Sequence, residues 1–189
     1  GKFDNGAYKV SGGLHGAGVS VVNALSEWLE VTVSRNNKKY KQRFERGLRV
    51  TELEVVGEST HTGTLIHFMP DPEIFKEGTD FDYEILARRF REMAFLTKEV
   101  KINLLDERID KKETFHYEGG IKSFVEHLNK NKNSIHKDVA YIEQDREGHN
   151  VQIAVQFTDG YSEQVLSFGN NIHTDEGGTH VSGFRGGLT

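Results

Sequence analysis

Apolar residues recur along this chain with two periods, and each period predicts a kind of element. Three segments have apolar positions three or four residues apart, which is the spacing of one helix face. The longest of them has apolar residues at Ile85, Leu86, Phe90 and Met93. The spacing therefore predicts helices at residues 19–26, 83–96 and 121–131.

Other segments alternate apolar and polar residues, which is the period of a strand with one buried face. The clearest pair, residues 28–35 and 38–45, flanks Asn36 and Asn37 and predicts a hairpin. Asp159 and Gly160 predict another hairpin, with a returning strand at 161–168. Further strands are predicted at 50–56, 63–69, 100–105, 139–145 and 149–158.

The mixture of long helices and hairpins indicates an α+β fold. A charged run at 106–113 and the glycine pair Gly119-Gly120 interrupt the pattern near the middle of the chain. We place a domain boundary there, with one domain at 1–118 and a second at 119–189. The tail around Gly177 and Gly178 is expected to open one more helix.

The composition excludes several classes of function. The chain has 189 residues and a net charge of −5, which argues against a dedicated basic nucleic-acid module. It has no cysteine, so disulfide scaffolds, cysteine zinc sites and thiol catalysis are excluded. It shows no secretory signal and no apolar run near the roughly 20 residues that a membrane helix needs. We therefore expect a cytoplasmic protein with no membrane partner.

Glycines cluster just before the first predicted helix, at Gly12, Gly13, Gly16 and Gly18. A helix start presents unpaired amides and a positive dipole end, and glycines let the backbone approach a ligand closely. The segment therefore predicts a phosphate site. It is neither a Walker A loop nor a dinucleotide fingerprint, because the residues after Gly18 do not fit either pattern. The alternative is a surface loop with a glycine-assisted helix start.

Two other groups of charged or titratable residues have a structural interpretation. The nine histidines show no metal-binding spacing, so no metal site is predicted. Residues 35–49 hold seven cations against one acid, Glu45. They form either a nucleic-acid patch or the solvated outer face of an edge hairpin, and the lack of interleaved aromatic residues favours the second interpretation.

Four blocks of sequence carry a resemblance that covers nearly the whole chain. They are KFD…YKVSGGLHGAGVSVVNALS at 2–26, TGT at 62–64, FHYEGGIKSFV at 115–125 and NNIHTDEGGTH at 170–180. In order and spacing they resemble the ATPase subunit of bacterial type II DNA topoisomerases. The resemblance implies that 1–118 form the second half of a GHKL-type ATPase domain, with helices on one face of a mixed sheet. It also implies that 119–189 begin a transducer domain, a ribosomal-protein-like βαβ module.

The resemblance implies an ATP site in which the glycine loop is a lid over the triphosphate. Lys2 would reach the terminal phosphate, Thr64 would help to hold the adenine through water, and Arg35 would lie at the pocket rim. The catalytic base and the residue that binds Mg²⁺ would lie outside this chain, so we expect the chain alone not to hydrolyse ATP. The lid residues implied to supply phosphate-binding amides are His15, Gly16, Ala17, Gly18 and Val19, with Gly13 and Leu14 beside them.

The resemblance also implies cofactors and partners. The cofactors would be ATP and Mg²⁺. The partners would be DNA, the A subunit in a heterotetramer, and a second copy of the ATPase subunit that dimerises with the first on ATP binding. A gyrase, which supercoils DNA negatively, is favoured over a topoisomerase IV, which decatenates it. A more distant alternative is a non-catalytic module of the same fold that binds a nucleotide or an inhibitor.

Overall fold

The computed structural model describes residues 17–189 and has an α+β architecture, as predicted. Within these residues every named strand pair is antiparallel. The described helices are α1 (Gly18–Ala24), α2 (Tyr83–Leu96), α3 (Gly120–Leu128) and α4 (Thr179–Leu188). The described strands are β1 (Ser26–Arg35), β2 (Lys38–Glu45), β3 (Leu48–Arg49), β4 (Glu54–Glu58), β5 (Gly63–Pro70), β6 (Ile102–Asp106), β7 (Lys111–Phe115), β8 (Ala140–Arg146), β9 (His149–Val155), β10 (Phe168–Gly169) and β11 (Ile172–His173).

The described residues divide into two compact units, 17–81 and 82–189. The predicted domain boundary between 118 and 119 lies inside the second unit and stays a prediction, because a compact unit and a domain inherited as a module need not coincide. The two units are therefore described separately.

The first unit is built on the predicted hairpin of β1 and β2. Asn36 and Asn37 have φ values of 53° and 59°, the left-handed backbone that a tight two-residue hairpin turn requires and that asparagine tolerates. The five-stranded sheet has the order β3-β2-β1-β5, and β4 also pairs with β2. The hairpin prediction is confirmed to the residue in β2, whereas β1 begins two residues earlier than predicted.

The register gives this sheet one apolar and one polar face, because residues directly opposite each other point to the same side. On the apolar face Leu29 lies opposite Phe44 in β2 and Phe68 in β5, and Leu29 is only 1% exposed. On the polar face Glu30 lies opposite Arg43 and also opposite His67.

The second unit is organised around α2, whose predicted bounds are confirmed at both ends. Asp82 caps its start, since the Asp82 carboxylate accepts a hydrogen bond of 2.9 Å from the backbone N–H of Ile85. The helix packs on the β6–β7 hairpin and on α3. Its core is a cluster of four buried residues: Tyr83, Ala87, Ala94 and Phe115.

An aromatic stack joins α2 to α3 within this unit. The Phe95 ring lies 3.7 Å from the Tyr117 ring and 4.8 Å from the Phe124 ring, measured between centroids, and both pairs are nearly parallel. Phe95 is 2% exposed. The stack therefore fixes α3 against α2 through buried aromatic area.

Several predicted segments differ from the structure. The helices predicted at 19–26 and 121–131 end at Ala24 and Leu128, and the strand predicted at 149–158 ends at Val155. The charged run at 106–113 is a hairpin turn followed by β7, and its charges are paired across elements, Lys111 with Glu84 at 2.6 Å and Arg91 with Glu113 at 2.7 Å. The strand predicted at 50–56 begins only at Glu54.

The strand predicted at 161–168 is wrong, because within the described residues strand structure there is confined to β10 at its end. The segment after β9 pairs instead with residues that precede β8. The N–H of Asp159 donates to the carbonyl of Asn133 at 3.0 Å, and Ser134 bridges to Thr158. The Asp159-Gly160 turn signal is local and was outweighed by these longer-range partners.

Candidate functional site

The described part of the glycine loop is the start of α1. Ala17 occupies the N-cap position with helical φ and ψ, and the first helical hydrogen bond runs from the N–H of Val21 to the carbonyl of Ala17 at 2.9 Å. The amides of Gly18, Val19 and Ser20 precede that bond, so they have no acceptor within the helix. Of the predicted site residues, Lys2 and the lid residues Gly13, Leu14, His15 and Gly16 lie outside the described residues.

The surroundings of Gly18 are open. A Cβ built on this glycine would meet no described atom within 4 Å. The helix start therefore has room on that side for a ligand to approach the backbone, and a side chain at position 18 would occupy that room.

α1 itself is a short helix with little packing. None of its seven residues is buried, and Val19 and Val21 are 56% and 52% exposed. It contacts β1 and β2, and the residue after it, Leu25, leads directly into Ser26 of β1. The position of its N-terminal amides therefore depends on how its C-terminal end is held.

The structure brings two other predicted site residues together at the far end of β1. Thr64 in β5 lies directly opposite Val33 in β1, and Arg35 is the last residue of β1. Val33 and Arg35 are alternate residues of β1, so both lie on the same face of the sheet as Thr64, which is the apolar face. Both Thr64 and Arg35 are exposed. α1 joins β1 at its opposite end, so the sheet does not itself bring these two residues to the start of α1.

A shallow depression of about 430 Å³ lies beside these residues, between the β1–β2 turn and the loop before β5. The buried Ser59 shapes this loop, because its N–H donates to the Asn37 carbonyl at 3.1 Å and its hydroxyl donates to the His61 carbonyl at 2.8 Å. The depression is lined by Asn36, Asn37, Thr60, His61 and Thr62. Sequence reasoning did not predict it, because two loops far apart in the chain form it.

The basic hairpin residues are largely paired with acids. Lys41 lies 2.9 Å from Glu30, and Arg43 lies 3.7 Å from the same carboxylate. The hydrogen bond from Lys41 is the main reason why the pKa of Glu30 is lowered. Arg46 and Arg49 also form ion pairs, so the hairpin has less unpaired positive charge than its composition suggests. This favours the structural interpretation of the cations over the nucleic-acid patch.

Sequence reasoning also missed an ion pair at the junction between α1 and β1, in which the carboxylate is buried and the guanidinium is half exposed. Asp71 is 1% exposed, and its Oδ2 lies 2.7 Å from Nε of Arg46. In the sequence Asp71 stands between two prolines, a pattern that indicates only a break between elements. No periodicity could have linked it to an arginine 25 residues away.

Residues 17–189 carry neither a metal-binding cluster nor a membrane-spanning helix. No group of three or more histidine, cysteine, aspartate or glutamate side chains in this range could hold a metal ion. None of the helices in the same range is both long enough and apolar enough to cross a membrane.

Comparison with known proteins adds to this geometry. Residues 120–189 match the family model of DNA gyrase B. The whole chain aligns with the DNA gyrase B protein of Bacillus mycoides at 53% identity over 190 residues, and with that of Halalkalibacterium halodurans at 55% over 190 residues. The chain spans about half the length of the first relative, 47%, and 30% of the second.

Solved structures agree with these relatives. The 43K ATPase domain of Thermus thermophilus gyrase B, in complex with an aminocoumarin, superposes with a TM-score of 0.82 at 37% identity, covering 91% of this chain and 47% of that one. The DNA gyrase B protein of Myxococcus xanthus gives a TM-score of 0.83 at 27% identity, covering 90% of this chain and 50% of that one.

The class defined by this fold and by the four sequence blocks is the ATPase subunit of bacterial type II DNA topoisomerases. Within that class, the chain is most like the DNA gyrase B proteins with which it aligns. The predicted resemblance is thereby confirmed, and the relatives favour gyrase over topoisomerase IV.

Proposed function

We propose that this chain is the ATP-binding part of a gyrase B protein, which couples ATP binding and hydrolysis to DNA strand passage and negative supercoiling. The observation that carries the proposal is the identity of 53–55% to DNA gyrase B proteins along the whole chain. The open backbone at Gly18 supports the same conclusion from geometry.

In the proposed site, main-chain amides bind the phosphates of ATP. The amides of Ala17, Gly18 and Val19, at the start of α1, continue the series that begins with His15 and Gly16, with Gly13 and Leu14 beside it. An amide cradle is suited to this task because it supplies several fixed donors and no competing side chain. Bound ATP supplies the phosphoryl group whose transfer to water drives the cycle.

Other residues have supporting roles in the proposal. Lys2 reaches the terminal phosphate, Thr64 helps to hold the adenine through water, and Arg35 lies at the rim of the pocket. The neighbouring positions of Arg35 and Thr64 on one face of the sheet support the last two assignments. The described residues offer no cluster for Mg²⁺, so we assign none of them to metal binding.

The proposed organisation has an ATPase part at 1–118 and the beginning of a transducer at 119–189. The start of the gyrase B family match at residue 120 supports this boundary. The proposed partners are DNA, the A subunit in a heterotetramer, and a second copy of gyrase B that dimerises with the first when ATP binds. The proposed location is the cytoplasm.

The proposal is tested with the intact protein and its A subunit. We expect ATP-dependent negative supercoiling of relaxed plasmid, and Gly18→Val should weaken binding of a non-hydrolysable ATP analogue by about tenfold or more, because the added side chain fills the space beside the amides. Gly57→Val is the matched control, since a Cβ at Gly57 in β4 also meets no atom within 4 Å but lies away from α1.

Decatenation without supercoiling would indicate topoisomerase IV. Nucleotide binding without turnover would indicate a non-catalytic module.

A further inference from the structure

A buried polar junction holds the C-terminal end of α1, and none of the roles proposed above involves it. Its centre is the carboxylate of Asp71, whose side chain is 2% exposed. Oδ2 accepts a hydrogen bond of 2.7 Å from Nε of Arg46, and Oδ1 accepts one of 2.9 Å from the backbone N–H of Glu73. A buried carboxylate is tolerated when it is paired in this way, and loss of the partner leaves a charge without solvation.

Both residues of this ion pair also bind the backbone between α1 and β1. The N–H of Asp71 donates to the carbonyl of Leu25 at 3.0 Å, and the N–H of Arg46 donates to the carbonyl of Ser26 at 3.1 Å. The ion pair therefore ties two distant loops to the two consecutive residues at which the helix becomes a strand.

The local backbone has little freedom to move around these bonds. Pro70 and Pro72 flank Asp71, and proline restricts both its own φ and the residue before it. Gly47 has a φ of 81°, and a Cβ added there would lie 3.3 Å from the Cα of Ala24, the last residue of α1. The junction is thus closely packed, in contrast to the exposed body of α1.

We propose that Asp71 and Arg46 are positioning residues for the phosphate-binding end of α1. Because α1 buries none of its own residues, its direction is set where its C-terminal end is anchored, and Asp71 and Arg46 supply that anchor. A small rotation at Leu25 is carried along the helix to the amides of Gly18 and Val19. This inference rests on the proposed function for its consequence, but not for its structural basis.

The test compares Asp71→Asn with the unmodified intact protein. The variant keeps an oxygen that can accept the N–H of Glu73 but removes the buried one of the two carboxylates that Arg46 pairs with. The other, Glu73, lies 2.8 Å from Arg46 and is exposed. Binding of a non-hydrolysable ATP analogue should weaken by about tenfold or more, and binding of ADP by less than about threefold, because ADP lacks the terminal phosphate that the lid contacts. Hydrogen exchange of the α1 amides should be faster in the variant without any nucleotide.

Arg49→Gln is the matched control. Arg49 in β3 forms an exposed ion pair of 3.2 Å with Glu52, so Arg49→Gln removes the same positive charge as Arg46→Gln without touching the junction. It should leave both nucleotide affinities and α1 exchange unchanged. Arg46→Lys keeps the charge at the junction and should retain more analogue affinity than Arg46→Gln, which provides a second comparison if Asp71→Asn does not fold.

Each outcome either supports or overturns the inference. Equal weakening of analogue and ADP would show general destabilisation and overturn it, as would unchanged α1 exchange in Asp71→Asn. If the unmodified protein binds no triphosphate, the proposed function fails, whereas the exchange measurement still decides whether the ion pair positions α1.

Discussion

The two compact units bury different kinds of residue. In 17–81 the buried side chains are one leucine, Leu29, and four polar residues: Ser26, Ser34, Ser59 and Asp71. In 82–189 every buried side chain is apolar or aromatic, and the set comprises Tyr83, Ala87, Ala94, Phe95, Phe115, Phe124 and Val139. The first unit is therefore held in large part by hydrogen bonds and an ion pair, and the second by apolar packing.

This difference bears on function. Polar contacts are directional, so they can fix the angle at which a short exposed helix such as α1 leaves the sheet. Apolar packing is less directional but resists opening. Segments that bind ligands are commonly drawn from the less stable part of a protein.

Among the substitutions that test this comparison, Phe95→Ala should have the largest effect. Phe95 is 2% exposed and stacked on two rings, so its removal should lower the free energy of unfolding by about 3–5 kcal/mol. Urea unfolding can be followed by helix circular dichroism and by fluorescence of Trp28, the single tryptophan, which lies in β1 of the first unit. The circular dichroism transition should shift much more than the fluorescence transition.

Ile85→Ala, on the 52% exposed side of the same helix, is the control and should change little. If both probes shifted together in Phe95→Ala, the two units would unfold as one, and the contrast between them would fail.

A smaller effect is expected from Leu29→Ala in the first unit. Leu29 is 1% exposed, but its neighbours on the apolar face, such as Ile66 at 38%, are partly exposed. The cavity can therefore collapse or admit water, and we expect a loss of about 2–3 kcal/mol, near the lower end for such substitutions. Trp28 fluorescence should now report the larger shift. A loss as large as that of Phe95→Ala would contradict the view that this face contributes less.

Substitutions in turns test the same comparison, and each should change the free energy of unfolding by about 1 kcal/mol. Asn37 in the first unit and Glu147 in the second both have positive φ, 59° and 53°. Asn37→Val should destabilise by about 1–2 kcal/mol, because a β-branched residue is strained in left-handed backbone. Glu147→Asn should raise the free energy of unfolding by several tenths of the Asn37→Val loss, since asparagine tolerates left-handed backbone better than glutamate does. Thermal unfolding measures both, and the opposite sign in either variant would refute the argument.

The smallest expected effect is a difference between the two units in how their stability depends on pH. Burial, with Arg91 and Lys130 nearby, lowers the pKa of His127 below its ordinary 6.5, so the unfolded chain takes up the proton first. Stability of the second unit should fall as pH drops below about 6.5 and level off under the folded pKa. In the first unit the pKa of Glu30 is lowered, which implies a loss of stability that begins only below about pH 4.5.

Thermal unfolding between about pH 7.5 and 4, followed by circular dichroism and by Trp28 fluorescence, checks this order. His127→Gln should remove the step that begins near neutral pH from the circular dichroism signal. If the step remained in that variant, another group would be responsible.

Elements with strong local signals were predictable. The α2 bounds follow from helical spacing, and the first hairpin follows from alternation around Asn36-Asn37. β7 was missed, because its charges look like a linker until Lys111 and Arg91 find Glu84 and Glu113 on other elements. The strand at 161–168 was wrong for the converse reason, since a local turn signal lost to longer-range pairing.

The candidate site divides in the same way. The glycine loop and the start of α1 could be interpreted from the chain, because glycines before a helix expose backbone amides whatever the rest of the fold does. Arg35 and Thr64 were implied by family resemblance, and their placement on adjacent strands stays consistent with that prediction.

The sequence by itself determined the α+β class, the helix α2, the first hairpin, the gyrase B family resemblance and the glycine-led helix. These depend on neighbours within a few positions, or on motifs that survive in relatives. Only the tertiary structure brought Asp71 and Arg46 together, because a contact across 25 residues is decided by how whole strands pair. Local periodicity carries no information about which distant loop will fill a buried polar site.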